Sequence, residues 1–262
     1  MPERVLVAPD ELFGDGVFET VHLRPSGPWL LTEHLDRLAR SAALLEIEVP
    51  PDLPARIDAA LAGGLTATAA APFGAPLGDT PGERALRIIL TRRSAHVTVS
   101  PVPPAVIAER RNGIRVRTAG VGTPPPWSLA SAKTLSYASN FAARRWARRH
   151  GDDDVLWLST ERYALEAPTA SLVWLAGQTL GTVPAEEAGI LPGTTATHLL
   201  SLAPRAGLRA EVRMITYAEL VDADAIWLAS SLRGLAEVTA LDGSDRERSP
   251  WTARLLGLLG FV

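Results

Sequence analysis

The sequence predicts a mixed α/β protein built as two domains, and three observations predict it. Val17–Leu23 alternates apolar and polar residues, and Ala85–Thr91 and Ala225–Ala229 are short apolar runs rich in branched side chains; all three read as strands. Leu35, Leu38, Ala42 and Leu45 instead recur at the spacing of one helix face. Residues 118–127 (TAGVGTPPPW) carry three consecutive prolines, which fit neither a helix interior nor a central strand. That stretch is read as the connection between a smaller domain, 1–117, and a larger one, 128–262.

The elements follow in order. A Gly-Asp-Gly turn precedes the strand Val17–Leu23, and Pro28–Leu31 is expected to close a hairpin with it. Thr32 is placed to N-cap the helix that carries Leu35 to Leu45, and Pro54–Leu61 suggests another helix. Residues 62–83 are rich in Gly, Ala, Thr and Pro and read as a loop. Ala85–Thr91 and Val97–Pro101 complete the strands of the first part. Beyond the prolines come a helix at Tyr137–His150, a strand at Val155–Ser159, a turn at Thr160–Tyr163, and strands near Ser171–Leu175 and Gln178–Thr182. Pro192-Gly193 is a turn, and Thr194 or Thr195 is expected to cap a helix reaching about Ala203. Strands at Ala225–Ala229 and Ala236–Leu241 and a helix at Trp251–Leu259 end the chain. No internal repeat is found.

Composition narrows the function classes. A length of 262 residues with 47% hydrophobic content fills one large core or two modest ones. The net charge of −3 supplies no global pull toward nucleic acid or anionic membrane. With no cysteine there is no thiolate ligand, disulfide or Cys nucleophile, which fits a cytoplasmic protein. The start, MPERVLVAPDELFGDG, has charges and Pro where a signal peptide needs an apolar run. No window approaches ~18 consecutive apolar residues, so no membrane span is expected. The five His residues lack ligand spacing, so no metal is expected. Phe141–His150 is dense in Arg, but three aspartates follow it directly, so a solvated helix face is favoured over a nucleic-acid contact.

One residue stands apart. Of the 26 basic Lys and Arg residues, 25 are Arg and only Lys133 is Lys. Arg stays charged at any working pH, whereas a desolvated Lys loses its proton and forms a Schiff base with a carbonyl. Lys133 begins the stretch Lys133-Thr-Leu-Ser-Tyr137. Three other stretches accompany it. Glu166 sits between Leu165 and Ala167, where a buried carboxylate needs a compensating partner. Gly193-Thr194-Thr195 places backbone N–H groups, hydroxyls and a helix dipole where a phosphate would bind. Arg37, in His34-Leu-Asp-Arg-Leu38, can bind a phosphate bidentately. Each has an ordinary alternative: a surface Lys, a hairpin-end Glu, a common N-cap, a solvated Arg.

Taken together, in order and spacing, these stretches resemble the fold-type IV family of pyridoxal-phosphate (PLP) enzymes. That family includes branched-chain aminotransferases, D-amino-acid aminotransferases and aminodeoxychorismate lyases. The resemblance runs from Gly14-Asp-Gly-Val-Phe-Glu-Thr20 to Ser230-Ser231. It implies a two-domain D-amino-acid-aminotransferase-like fold with pyridoxal 5'-phosphate in the interdomain cleft. It implies a homodimer acting on a small-molecule amine, with each site near the subunit interface. By the same resemblance Lys133 is the Schiff-base lysine and proton shuttle, and Glu166 partners the pyridine nitrogen. Arg37, Thr194, Thr195, Ser230 and Ser231 bind the phosphate, and Tyr137 meets the phenolic oxygen of the ring. Two departures are visible: the family's Glu-Gly is Glu166-Ala167 here, and its Arg after the second Thr is Ala196. KTLSY, ALEAPT and Ser230-Ser-Leu-Arg233-Gly look most like the lyases, which release pyruvate and leave 4-aminobenzoate for folate synthesis. Ala236–Gly243 looks more like the aminotransferases, which stay open as the alternative, whether branched-chain or D-amino-acid. Arg92 and Arg233 are the candidates for binding substrate carboxylates, against an ordinary role as surface Arg.

Overall fold

In a computed structural model, residues 12–63 and 82–261 are described; the expected loop at 62–83 lies largely outside them. The chain forms two compact units, one of residues 1–103 and 132–137, the other of 104–131 and 138–262.

The first unit is an antiparallel sheet in the order β2-β1-β3-β4: β1 (Gly16–Arg24), β2 (Gly27–Pro28), β3 (Arg84–Thr91) and β4 (Ala95–Pro101). Alternation sorts its faces. Val17, Val21, Leu86, Ile88, Leu90 and Val99 pack with Leu38, Ala42 and Leu45 of α1 (Leu31–Leu44 and its cap) and with Leu53 and Ile57 of α2 (Leu53–Ala62). The register sets Phe18 opposite Ile89 and Thr20 opposite Arg87 on the other face. Thr32 does not cap α1. The helix begins two residues earlier than such a cap would place it, behind Leu30 in the left-handed region (φ 55°), which puts Thr32 inside the first turn.

The second unit holds an 11-stranded sheet. Its order is β11-β10-β9-β13-β14-β5-β6-β7-β12, with β8 on β9 and β15 on β14. The strands are β5 (Ile114–Gly120), β6 (Asp154–Leu158), β7 (Tyr163–Ala164), β8 (Glu166–Ala167), β9 (Ala170–Ala176), β10 (Thr179–Thr182), β11 (Arg209–Val212), β12 (Ile215–Thr216), β13 (Ala225–Ser230), β14 (Gly234–Leu241) and β15 (Ser244–Asp245). The helices are α3 (Pro104–Asn112), α4 (Ala138–Arg149), α5 (Ala185–Ala188), α6 (Thr194–Leu202), α7 (Tyr217–Val221) and α8 (Trp251–Leu258). Trp174, Leu172, Ile226, Leu228, Val116 and Leu156 are among the residues that fill the core.

The division differs from the expected boundary at 118–127. β5 reaches into that stretch and pairs in parallel with both β14 and β6, so residues 104–117 belong to the second unit. Residues 132–137 return to the first unit because they bridge to β1: Thr134 pairs with Val17, and the Leu135 N–H donates to Gly16 O. Among the described residues no helix is long and apolar enough to cross a membrane.

Candidate active site

In the first unit, Lys133 lies in an extended segment rather than in a helix. Its backbone is fixed on both sides. Its C=O accepts from the Phe18 N–H at 2.9 Å, and its N–H donates to Ser41 Oγ on α1 at 3.1 Å. The Gly14-Asp15-Gly16 turn packs against the same segment. A Cβ at Gly14 would stand 2.7 Å from Ser136 Oγ, and one at Gly16 would stand 2.7 Å from Leu135 Cδ1. The motif therefore seats the lysine segment as well as turning the chain. The Lys133 amine lies 4.6 Å from the Phe18 ring centre and 3.3 Å from the Tyr137 hydroxyl, and Tyr137 packs edge-on to Phe18 at 5.0 Å.

Arg37 is buried on α1 and gripped by Glu19 of β1. Its Nε donates to Oε1 at 2.7 Å and its Nη2 to Oε2 at 2.9 Å, while His34 Nδ1 lies 2.7 Å from Oε2. Burial alone would raise the Glu19 pKa. The Arg37 charge, with hydrogen bonds from His34 and Arg37, overcomes it and holds the group at about 2. Glu19, which sequence reasoning passed over, thus fixes the side chain assigned to phosphate.

In the second unit, Glu166 sits on β8 opposite Ser171, 8% exposed, and Oε1 accepts from the Leu191 N–H at 3.4 Å. Leu191 leads into Pro192-Gly193 and α6. The N-cap of α6 is Gly193, with no side-chain cap, so Thr194 and Thr195 lie in the first turn. A Cβ on Gly193 would collide with Ser171 Oγ, so the backbone passes where only glycine fits. Thr195 is 2% exposed, and its Oγ1 has no hydrogen-bond partner among the described residues. An orphaned hydroxyl beside the unpaired N–H groups of a helix start suits a phosphate oxygen. Each unit by itself offers residue types that fit PLP: an amine at Lys133 in the first, and a buried carboxylate at Glu166 with this helix start in the second. Ser230 ends β13, and Ser231 starts the turn to β14.

The two substrate candidates each have partners within the fold. Arg233 is 3% exposed and committed to two carboxylates, Nε to Glu109 at 2.9 Å and Nη2 to Asp154 at 3.2 Å. It is a member of an internal ion-pair group, and its Nη1 has no hydrogen-bond partner among the described residues. Arg92 donates to the Leu45 and Glu46 carbonyls at the end of α1, at 2.8 and 3.1 Å, and pairs with Asp15 at 3.5 Å. Arg87 is the cation that sequence reasoning missed. Its guanidinium lies 5.4 Å from the Phe18 ring centre, beside Tyr137, on the exposed face of β3. Among the described residues it has no hydrogen bond or ion pair. The available signal was alternation: Arg87 falls on the strand face opposite Leu86 and Ile88.

The sequence profile of the amino-transferase class IV family matches residues 16–241. A Mycobacterium tuberculosis protein named bifunctional aminodeoxychorismate lyase / D-amino acid transaminase is 37% identical over 259 residues, 90% of this chain and 85% of that one. Among solved structures, the PLP-bound form of a hypothetical aminotransferase from M. tuberculosis superposes with a TM-score of 0.85 at 34% identity, covering 99% of this chain and 94% of that one. A fold IV transaminase from Curtobacterium pusillum gives 0.83 at 36% identity, covering 99% and 89%.

Proposed function

The chain belongs to the class IV aminotransferase family, its cofactor is pyridoxal 5'-phosphate, and within that family we propose that it is a 4-amino-4-deoxychorismate lyase. The observation that carries the reading is the 37% identity, over 90% of the chain, to a relative named for that lyase activity. The same relative is named for D-amino acid transamination, so amino transfer from D-amino acids is the second reading, as an activity of the same lysine.

When bound, PLP supplies an electron sink beside the amine-bearing carbon of the substrate. Lys133 Nζ takes the proton from that carbon, and the Tyr137 hydroxyl 3.3 Å away steadies the amine. The bond from the ring carbon to the enolpyruvyl oxygen breaks, the leaving enol takes up a proton to become pyruvate, and the ring is left aromatic. No further reactant is required. Glu166 holds a negative charge toward the ring nitrogen, while Thr194, Thr195, Ser230, Ser231 and Arg37 hold the phosphate. Arg87, in place of Arg92 and Arg233, binds a substrate carboxylate. A homodimer in the cytoplasm is part of this proposal; sedimentation at micromolar concentration checks the dimer.

The test is a paired assay on purified protein supplied with PLP. One arm supplies 4-amino-4-deoxychorismate and follows 4-aminobenzoate and pyruvate. The other supplies D-alanine or branched-chain L-amino acids with 2-oxoglutarate and follows the new amino acid. Formation of 4-aminobenzoate with equal pyruvate is the expected result; amino transfer with no 4-aminobenzoate overturns the lyase reading.

A further inference from the structure

Arg233 raises a question of its own: why two charges are buried, and two more half-buried, behind a turn. It forms a closed quartet with Glu109 of α3, Arg144 of α4 and Asp154 of β6. Arg233 Nη2 lies 2.7 Å from Glu109 Oε2 and 3.2 Å from Asp154 Oδ2. Arg144 reaches the same two carboxylates at 2.9 and 3.3 Å. The quartet is neutral in sum, and Arg233 and Asp154 are almost wholly buried. Buried ion pairs of this kind are often no more stabilising than apolar side chains of similar volume. What they do impose is geometry, since both arginines must reach the same two carboxylates at once.

That geometry bears on one segment. The turn from β13 to β14 runs Ser231-Leu232-Arg233, with Ser230 paired to Gly234 at its base. Next to Glu109 on α3, Arg110 donates from Nη2 to the Leu232 carbonyl at 3.3 Å. Arg110 is itself held 4.4 Å from the ring centre of Phe261, and Phe261 also packs beneath Gly234, where the backbone has φ +63°. Two adjacent residues of α3 therefore grip the turn at two consecutive positions, one through a side chain and one through a carbonyl.

We infer that Arg233 and Arg110 are positioning residues that set the Ser230-Ser231 turn for the cofactor phosphate. The inference rests on the reading of these serines as phosphate ligands. Neither arginine touches the cofactor; both act through the turn, and the effect falls on the phosphate end of the ligand alone.

The experiment titrates the apoprotein of each variant with PLP and, separately, with pyridoxal, which lacks the phosphate, reading bound cofactor by absorbance. The variants are Arg233→Lys, which keeps a charge in the quartet, Arg110→Met, which leaves the quartet intact if Arg233→Lys fails to fold, and the double variant Ser230→Ala/Ser231→Ala. The arginine variants are expected to weaken PLP about tenfold, the scale of one misplaced hydrogen bond to a charged group, and to leave pyridoxal binding within about twofold. Equal weakening of PLP and pyridoxal would mean a general structural role and overturn the inference. Unchanged PLP binding in the arginine variants, with weakened binding in the serine variant, would overturn the inference alone. Unchanged PLP binding in the serine variant would overturn the phosphate reading and the inference with it.

Discussion

At the scale of single residues, the two ionisable groups that matter most behave in opposite ways. Glu19 is buried and fully compensated, whereas Arg87 lies on the exposed face of β3 and, among the described residues, has no hydrogen bond or ion pair. Removing the Glu19 charge leaves Arg37 buried without its main partner, which costs about 3–5 kcal/mol. Urea denaturation at pH 7 should show Glu19→Gln destabilised by that order. The sign with pH follows from the depressed pKa. The contribution of Glu19 is complete above its unfolded value of 4.5 and is lost as pH falls toward about 2, so the gap between wild type and variant should close across that window. A gap that persists undiminished at pH 2 would refute the ion-pair account. Arg87 predicts the reverse pattern. Arg87→Met removes no internal partner, so stability should hardly change. Losing a charge-assisted bond to a substrate carboxylate should lower kcat/KM for 4-amino-4-deoxychorismate by about 10- to 100-fold. Steady-state rates checked against melting temperature separate the two effects, and an unchanged kcat/KM would remove Arg87 from the site.

At the scale of elements, the start of α6 offers a test that needs no assumption about substrate. Thr195 Oγ1 is buried and makes no hydrogen bond among the described residues, so in the apoprotein it contributes only an unmet desolvation cost. Thr195→Val should leave apoprotein stability equal or slightly higher, by up to about 1 kcal/mol, yet weaken PLP binding about tenfold. Calorimetry of apoprotein and holoprotein measures both, and a variant that loses apoprotein stability while binding PLP normally would show the hydroxyl to be structural. Elements with strong periodicity were legible from the sequence: β1, β3 and α1 lie where alternation and the spacing of Leu35 and Leu38 put them. α3 was not, because Pro104–Asn112 has a weak apolar face and ends in Arg110 and Arg111. β5 was obscured by the prolines that follow it, although Ile114 and Val116 alternate with Arg115 and Arg117. The same difference explains the site. Lys133 was legible because composition isolates it, whereas the commitment of Arg92 and Arg233 depends on carbonyls and carboxylates distant in sequence, which no local pattern reveals.

At the scale of the whole molecule, the single lysine constrains how two activities could coexist. Lyase and amino-transfer chemistry each need an amine that attaches the cofactor and moves a proton, and Arg cannot supply it. The chain has only Lys133 for that purpose. Any elimination and any amino transfer must therefore draw on one population of sites. Lys133→Ala and Lys133→Arg should abolish both activities together and remove the absorbance of covalently held cofactor. In the wild type the two reactions should interfere. With 4-aminobenzoate as the readout, because pyruvate arises from both substrates, added D-alanine should slow the lyase, and a 2-oxo acid should restore it by accepting the amino group. The restoration matters: a molecule merely occupying the site would slow the reaction without being relieved by an acceptor. Rates of 4-aminobenzoate formation independent of D-alanine, in a protein that also transfers its amino group, would demand a second site that one lysine cannot furnish, and the common-site account would fall.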